Sequence, residues 1–283
     1  MLVAETERVE VSMANRIILT ALEGALVGSL DDEAVLAGAI AQVKPTVQRL
    51  MDLDMPIVVF TQRDRAELEP IREQLGLTSP FITESGSAIF TPVDHNPFAT
   101  PLGEKDGQYF VEQLGCPYVQ ARAGLRVIAN EVSHPLKGFG DFTVPQLQKM
   151  AKLTEPVAHR AKAREFSEPF MTPKAVDSAV IRQAAEEMGF GLIVRSPEES
   201  RFSELLGAGA GIEPAAKQLI EAYAQQADNA ESWEIIGIGH READLSMLAA
   251  AAKQAGAQWV PKTLKADAPE GWVNVIDCLL EKG

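Results

Sequence analysis

One carboxylate, Glu23, stands just past the short β-branched run Arg16-Ile17-Ile18-Leu19-Thr20 in the stretch "RIILTALEGALVG". In open α/β sheets, chemistry gathers beyond the carboxyl ends of the strands, and here that place holds one carboxylate where an active site would want two. Two other apolar runs lead to reactive side chains. "MPIVVFT" closes on Thr61, whose hydroxyl suits either an anion or the cap of a following helix. "WEIIGIG" leads into His240 and, four residues on, Asp244. The glycines of "GAGAG" at 207–211 precede an expected helix, but they lack the G-x-G-x-x-G spacing and follow no clean buried strand, so a dinucleotide site is not expected. His95, His134 and His159 lie in unrelated segments without ligand spacing.

Elements must hold these groups, and the patterning supplies them. Residues 16–20 and 55–61 read as strands buried on both faces, the type found in parallel sheets. Pro45 reads as the first-turn proline of a helix carrying Val47, Leu50 and Met51, with the acidic "GSLDDEAVLAG" before it crossing the edge of the site. A capping box, Asp64 with Glu67, opens a helix that ends at Gly76. "PFITESGSAIF" gives a third strand ending near Glu84. Strand, helix, strand, helix, strand is the signature of a parallel sheet with crossover helices.

Beyond about Phe90, prolines and glycines cluster at 92–107 and 134–144. "QYFVEQL", "LRVIANEV" and "FGLIVRS" read as strands, with helices at 144–153 and 173–189. The basic group His159-Arg160-Lys162-Arg164 reads as a solvated helix face. The α/β pattern then returns: a helix from Glu213 with Pro214 in its first turn, a strand at 233–239 whose Gly237 and Gly239 read as its end turn, a helix at 242–254, and strands near "AQWVP" and "WVNVID". The expected division is a core at 1–88, an inserted α+β module at 89–205, and the rest of the core at 206–283.

Composition narrows the partners. The chain has 283 residues, 46% apolar and 23% charged, ordinary for a globular protein with a sizeable core. A net charge of −14 argues against nucleic acid and anionic membranes. Two distant cysteines, Cys116 and Cys278, form no disulfide framework and no zinc site, which fits a reducing cytoplasm. The stretch "MLVAETERVEVSMANR" has no apolar core of a signal peptide, and Met13 is an alternative start to Met1. No apolar run reaches membrane-spanning length.

The order of "RIILTALEGALVG", "PIVVFTQRDRAELEPIREQLGL", "PFITESGSAIF", "REFSEPF", "SRFSELLG" and "GIGHREADLSML" resembles the haloacid-dehalogenase (HAD) superfamily, and within it the mannosyl-3-phosphoglycerate phosphatases of the sugar-phosphatase type. The resemblance spans nearly the whole chain. It implies an α/β fold: a HAD-like Rossmannoid core with a central parallel sheet and an inserted α+β cap domain. The family's chemistry uses an aspartate nucleophile at the end of the first strand and a second aspartate two residues on as general acid and base. A Ser or Thr after the second strand and a lysine before a later helix hold the phosphoryl oxygens. Late carboxylates complete an oxygen shell for Mg²⁺.

The resemblance places Ala21 at the nucleophile position and Glu23 at the acid/base position, with Ala25 in place of a Thr. Thr61 is retained. The family's Asp-Lys-Gly falls near Ala210-Gly211-Ile212, so the phosphate-holding lysine is missing. His240 replaces the first late aspartate, Ala243 the usual asparagine, and Asp244 survives. Asp31 and Asp32 fall too far past the turn to replace the nucleophile. Loss of a nucleophile costs several powers of ten in rate. Glu23, His240 and Asp244 together would offer a mixed nitrogen and oxygen site for a transition metal, and Glu23 with His240 an acid/base pair. A hydrogen-bonded histidine filling an old metal site is the simpler role. In the cap, Arg164, Ser167 and Glu168 of "REFSEPF" and Arg201 match positions that read the sugar or glycerate end; the plainer alternative is an Arg164–Glu168 surface pair.

The expectation is therefore a pseudo-phosphatase that binds a small phosphorylated or carboxylated ligand or a protein partner, with no cofactor and a depleted Mg²⁺ shell. The first alternative is a divergent Mg²⁺- or other metal-dependent hydrolase acting on a phosphosugar such as mannosyl-3-phosphoglycerate. The second is an assembly protein using the cap surface.

Overall fold

The computed structural model describes residues 16–30, 32–194, 201–226, 233–263 and 268–281. Residues 1–15, with both candidate starts, and Asp31 lie outside them. The first unit of chain is β1 (Arg16–Ala21), α1 (Glu33–Asp52), β2 (Ile57–Phe60), α2 (Arg65–Leu75) and β3 (Phe81–Thr83). Then come β4 (Ala88–Pro92), β5 (Glu104–Asp106), β6 (Tyr109–Gln113), α3 (Tyr118–Glu131), α4 (Val144–Ala151) and α5 (Glu155–Arg160). They are followed by β7 (Glu168–Met171), α6 (Ser178–Glu187), β8 (Phe190–Ile193), β9 (Phe202–Gly207) and α7 (Ile212–Ala224). The chain closes with β10 (Glu234–Gly239), α8 (Glu242–Gln254), β11 (Gln258–Thr263) and α9 (Glu270–Leu280).

An eight-stranded sheet runs in the order β11-β10-β1-β2-β3-β4-β6-β5. Its first five strands are parallel and the last three antiparallel. Strands β1 and β2 are buried on both faces, as continuous β-branched runs between covering helices must be. On one face Trp272 of α9 is fully buried and donates from Nε1 to Thr20 Oγ1 at 3.1 Å. A separate antiparallel sheet, β7-β9-β8, packs with α3 and α6 around Leu125, Ile128, Phe170 and Leu205. Residues 104–113 hydrogen-bond into the large sheet, whereas the sequence division starts the cap at 89. No helix among the described residues is long and apolar enough to cross a membrane.

Several local expectations are corrected. The helix assigned from Pro45 begins at Glu33, because Asp32 caps it, accepting from Ala34 N and Val35 N at 2.9 and 3.0 Å. The acidic segment is thus a helix start, and α1 runs through Pro45 because Ala39, Ile40, Val43 and Val47 bury one continuous face. "LRVIANEV" is helical in α3: Ala121, Leu125 and Ile128 recur at helical spacing and burial overrides β-branched propensity. "WVNVID" is helical in α9 for the same reason, with Trp272 and Ile276 on the buried face. Glycines 237 and 239 lie within β10 instead of forming its end turn; a Cβ on Gly237 would meet the Trp259 ring at 1.8 Å. "GAGAG" does follow a buried strand, β9, but one that belongs to the small sheet.

Candidate functional site

Three neighbouring parallel strands, β10, β1 and β2, end side by side, with Thr20 opposite Ile238 and Val59, and Ala21 opposite Phe60. Their ends bring together Ala21, Glu23, Thr61 and His240. The chain leaves β1 in a tight turn in which Leu26 N donates to Ala21 O at 3.1 Å and Val27 N to Leu22 O at 2.9 Å. Gly24 holds φ +76°, a conformation that favours glycine, and a Cβ there would stand 2.5 Å from His240 Cγ. The imidazole therefore lies against the turn. Its Nδ1 is buried and finds no hydrogen-bond partner among the described residues.

The carboxylates at this mouth are already engaged. Thr61 Oγ1 lies 2.9 and 3.0 Å from the two oxygens of Glu23, to which it donates, and Arg63 Nε donates to Glu23 at 3.2 Å. Thr61 also accepts from Arg63 N at 3.0 Å, so its hydroxyl organises the loop after β2, while the cap of α2 is Asp64. Asp244, in the first turn of α8, is 2% exposed and accepts from Arg241 N at 3.1 Å and Nη2 at 2.6 Å. Ala21 brings only a methyl group to the end of β1. Among the described residues no three His, Cys, Asp or Glu side chains are grouped to hold a metal ion. A Mg²⁺ ion needs several oxygen ligands free to face it, and Glu23 and Asp244 instead face guanidinium groups. The residues present do not fit that ion.

A second constellation lies where the two sheets meet. Arg164 is the centre, with a side chain 6% exposed. Its Nη1 donates to Gln62 O at 2.7 Å, Glu204 Oε1 at 3.0 Å and Ser167 Oγ at 3.2 Å, and its Nε lies 3.7 Å from Asp64 Oδ2. Burial lowers the Arg164 pKa, but Glu204, Glu84, Asp64 and Glu67 together raise it above its ordinary value. Asp64 is pushed up to about 7, first by burial and then by Glu67, against the pull of Arg164. Burial likewise raises Glu84, whose carboxyl group accepts from Glu165 N and Phe166 N and lies 2.6 Å from Ser167 Oγ. Glu67 gives its carboxylate to Arg63 Nη1 at 2.9 Å, so only the Asp64 half of the expected capping box forms.

The cap residues named from sequence do not form one cluster. Ser167 and Arg164 meet, but Glu168 does not pair with Arg164. It is 1% exposed, accepts from Gly140 N at 2.9 Å, and has its pKa raised by burial. Arg201 is exposed and donates to Met150 O at 3.3 Å, apart from the rest. The expected solvated basic face is also corrected. His159 stays at the surface near Glu155, whereas Lys162 donates to Phe139 O and Arg164 is buried, because both follow α5 where the chain turns inward.

The sequence reading missed Arg63, Glu84 and Glu204. Glu204 had a signal, a charged residue directly before the apolar pair Leu205-Leu206 in "FSELLG". Two clefts flank the mouth. One of about 260 Å³ is lined by Arg63, Glu67, Arg164, Glu204, Phe139 and Phe202. The other, about 690 Å³, runs between Leu192–Val194 on one side and Gly211, Ile212 and Arg241 on the other.

Comparison with known proteins bears on the family and the fold. No family model matches the chain. It is 32% identical over 234 residues to the mannosyl-3-phosphoglycerate phosphatase of Pyrococcus furiosus, covering 82% of this chain and 86% of that protein. It is 28% identical over 232 residues to the glucosyl-3-phosphoglycerate/mannosyl-3-phosphoglycerate phosphatase of Persephonella marina, covering 82% and 81%. Among solved structures, a haloacid dehalogenase-like hydrolase from B. subtilis superposes with TM-score 0.58 at 14% identity, covering 93% of this chain and 99% of that one. The trehalose-6-phosphate phosphatase of Aspergillus fumigatus gives 0.53 at 12%, covering 95% and 94%. The mostly parallel sheet with clustered strand ends thus defines a HAD-like hydrolase fold. The chain belongs to the mannosyl-3-phosphoglycerate phosphatase family.

Proposed function

We propose that this member of the family is a pseudo-phosphatase: it keeps the fold, lacks aspartyl-phosphate chemistry, and binds a small phosphorylated or carboxylated ligand. The observation that carries this reading is the end of β1, where Ala21 brings a methyl group and the Glu23 carboxylate is held by Thr61 and Arg63. A methyl group neither attacks phosphorus nor binds a cation. The stretch 207–213, leading into α7, carries no lysine to hold a phosphoryl oxygen. The guanidinium groups of Arg63 and Arg241, drawn to the mouth by Glu23 and Asp244, favour an anionic ligand. No cofactor takes part in this reading, and a cytoplasmic location accords with the two lone cysteines.

The test is a thermal-shift series with inorganic phosphate, 3-phosphoglycerate and mannosyl-3-phosphoglycerate. Binding to the folded state raises the midpoint by mass action. A concentration-dependent rise with at least one of them supports the reading; a flat response to all three contradicts ligand binding. A divergent hydrolase that activates water through Glu23 or His240 is the second reading, favoured by the His240 Nδ1 beside Gly24, which has no hydrogen-bond partner among the described residues. It requires a measurable phosphate release that Glu23→Gln abolishes.

A further inference from the structure

At the joint between the two sheets, the hydrogens do not suffice if every carboxyl group is ionised. Ser167 Oγ lies 2.6 Å from Glu84 Oε2 and 2.8 Å from Glu204 Oε1, and Arg164 Nη1 donates to it at 3.2 Å. A serine hydroxyl has one hydrogen to give. With both glutamates ionised, one of these short, buried oxygen–oxygen contacts would have no proton in it, which is costly away from water. One glutamate must therefore be a donor. Glu204 is the acceptor end, since Arg164 Nη1 at 3.0 Å and Ser85 Oγ at 2.5 Å also converge on it. Glu84 takes two backbone N–H groups, and its remaining close contact is Ser167.

We propose that Glu84 keeps its proton at neutral pH and donates it to Ser167 Oγ, which donates in turn to Glu204, so that one proton latches the large sheet to the small one. Glu84 follows β3 in the large sheet, Ser167 precedes β7, and Glu204 lies on β9. The backbone is built for the contact: Glu84 and Ser85 hold φ of +48° and +57°, conformations that non-glycine residues seldom adopt. Arg164, Asp64 and Cys116 are the other charged or titratable groups facing Glu84, with Glu67 and Arg63 beyond Asp64. Burial, the leading influence, raises the Glu84 pKa, in accord with a retained proton. A carboxyl group whose pKa is raised by folding stabilises the fold at low pH and loses that contribution as pH rises through its folded value. The latch therefore weakens toward alkaline pH.

The test compares the intact protein with Glu84→Gln from about pH 5 to about pH 9, reading thermal midpoint and hydrogen-exchange protection at 164–168 and 202–207. The wild-type midpoint should fall by about 3 °C for each pK unit by which folding raises Glu84. Glu84→Gln should remove that part of the fall, and alkaline loss of protection in both segments should be confined to the wild type. Asp64→Asn is the control, and should leave the Glu84-dependent difference in place. Parallel pH profiles for wild type and Glu84→Gln overturn the proposal. If Glu84→Gln does not fold, infrared titration of the Asp64→Asn protein decides. An un-ionised carboxyl stretch present at neutral pH and displaced by Ser167→Ala supports the latch; no such band, or one that Ser167→Ala leaves unmoved, overturns it.

Discussion

Replacing Arg164 with Met tests whether the cap residues read from the sequence form a surface pair or a buried hub. Methionine keeps much of the side-chain volume but removes the guanidinium at the centre of the joint, facing Glu204 at 3.0 Å and Asp64 at 3.7 Å. It also leaves Gln62 O without its 2.7 Å donor. An exposed ion pair is worth about 0–1 kcal/mol. Removing one partner of a buried pair costs about 3–5 kcal/mol, because the remaining charge stays uncompensated. With the side chain 6% exposed, the larger range applies. The cost should also depend on pH. Near pH 8 Asp64 loses its counter-ion while charged, whereas near pH 5 Asp64, whose pKa is pushed up to about 7, takes up a proton and relieves the repulsion. Urea unfolding followed by tryptophan fluorescence at both pH values measures this. A loss below about 1 kcal/mol at pH 8, or an equal loss at both, would refute the buried-hub reasoning.

Two other substitutions probe the strand-end mouth and the joint. Gly24→Ala forces a Cβ to 2.5 Å from His240 Cγ at φ +76°, so it should destabilise the chain by about 1–3 kcal/mol, seen as a lower urea midpoint. His240→Ala in the same chain should recover part of that loss. Asp64→Asn keeps the helix cap but removes a group whose pKa is raised from 3.8 to about 7. Stability tied to its proton is full below pH 4 and lost as pH rises through 7. Asp64→Asn should therefore flatten the stability profile and exceed the wild type by more than about 1 kcal/mol at pH 8.

The strands that carry the mouth were legible because they are buried on both faces and so appear as unbroken β-branched runs. Their order also placed Glu23, Thr61 and His240 at one edge. Helices α3 and α9 were not legible as helices, since their valines and isoleucines favour strands locally and only the buried faces of Leu125 with Ile128 and Trp272 with Ile276 decide otherwise. The joint was the least legible part. Asp64, Glu84, Arg164 and Glu204 are separated by up to 140 positions in the sequence, and only the meeting of the two sheets makes them neighbours. Arg63 was hidden for a different reason: it reads as a loop cation until Glu23 is seen to turn toward it.

The central claim is that the end of β1 has kept its place in the sheet and lost its chemistry. Phosphate release from mannosyl-3-phosphoglycerate, with Mg²⁺ in excess, tests it most directly. The wild type is expected to stay at the no-protein background, and Ala21→Asp to stay there too, because Asp244 remains bound to Arg241 and the stretch 207–213 carries no lysine. Release by the wild type at an ordinary enzyme rate, about 1 per second or faster, would contradict the account.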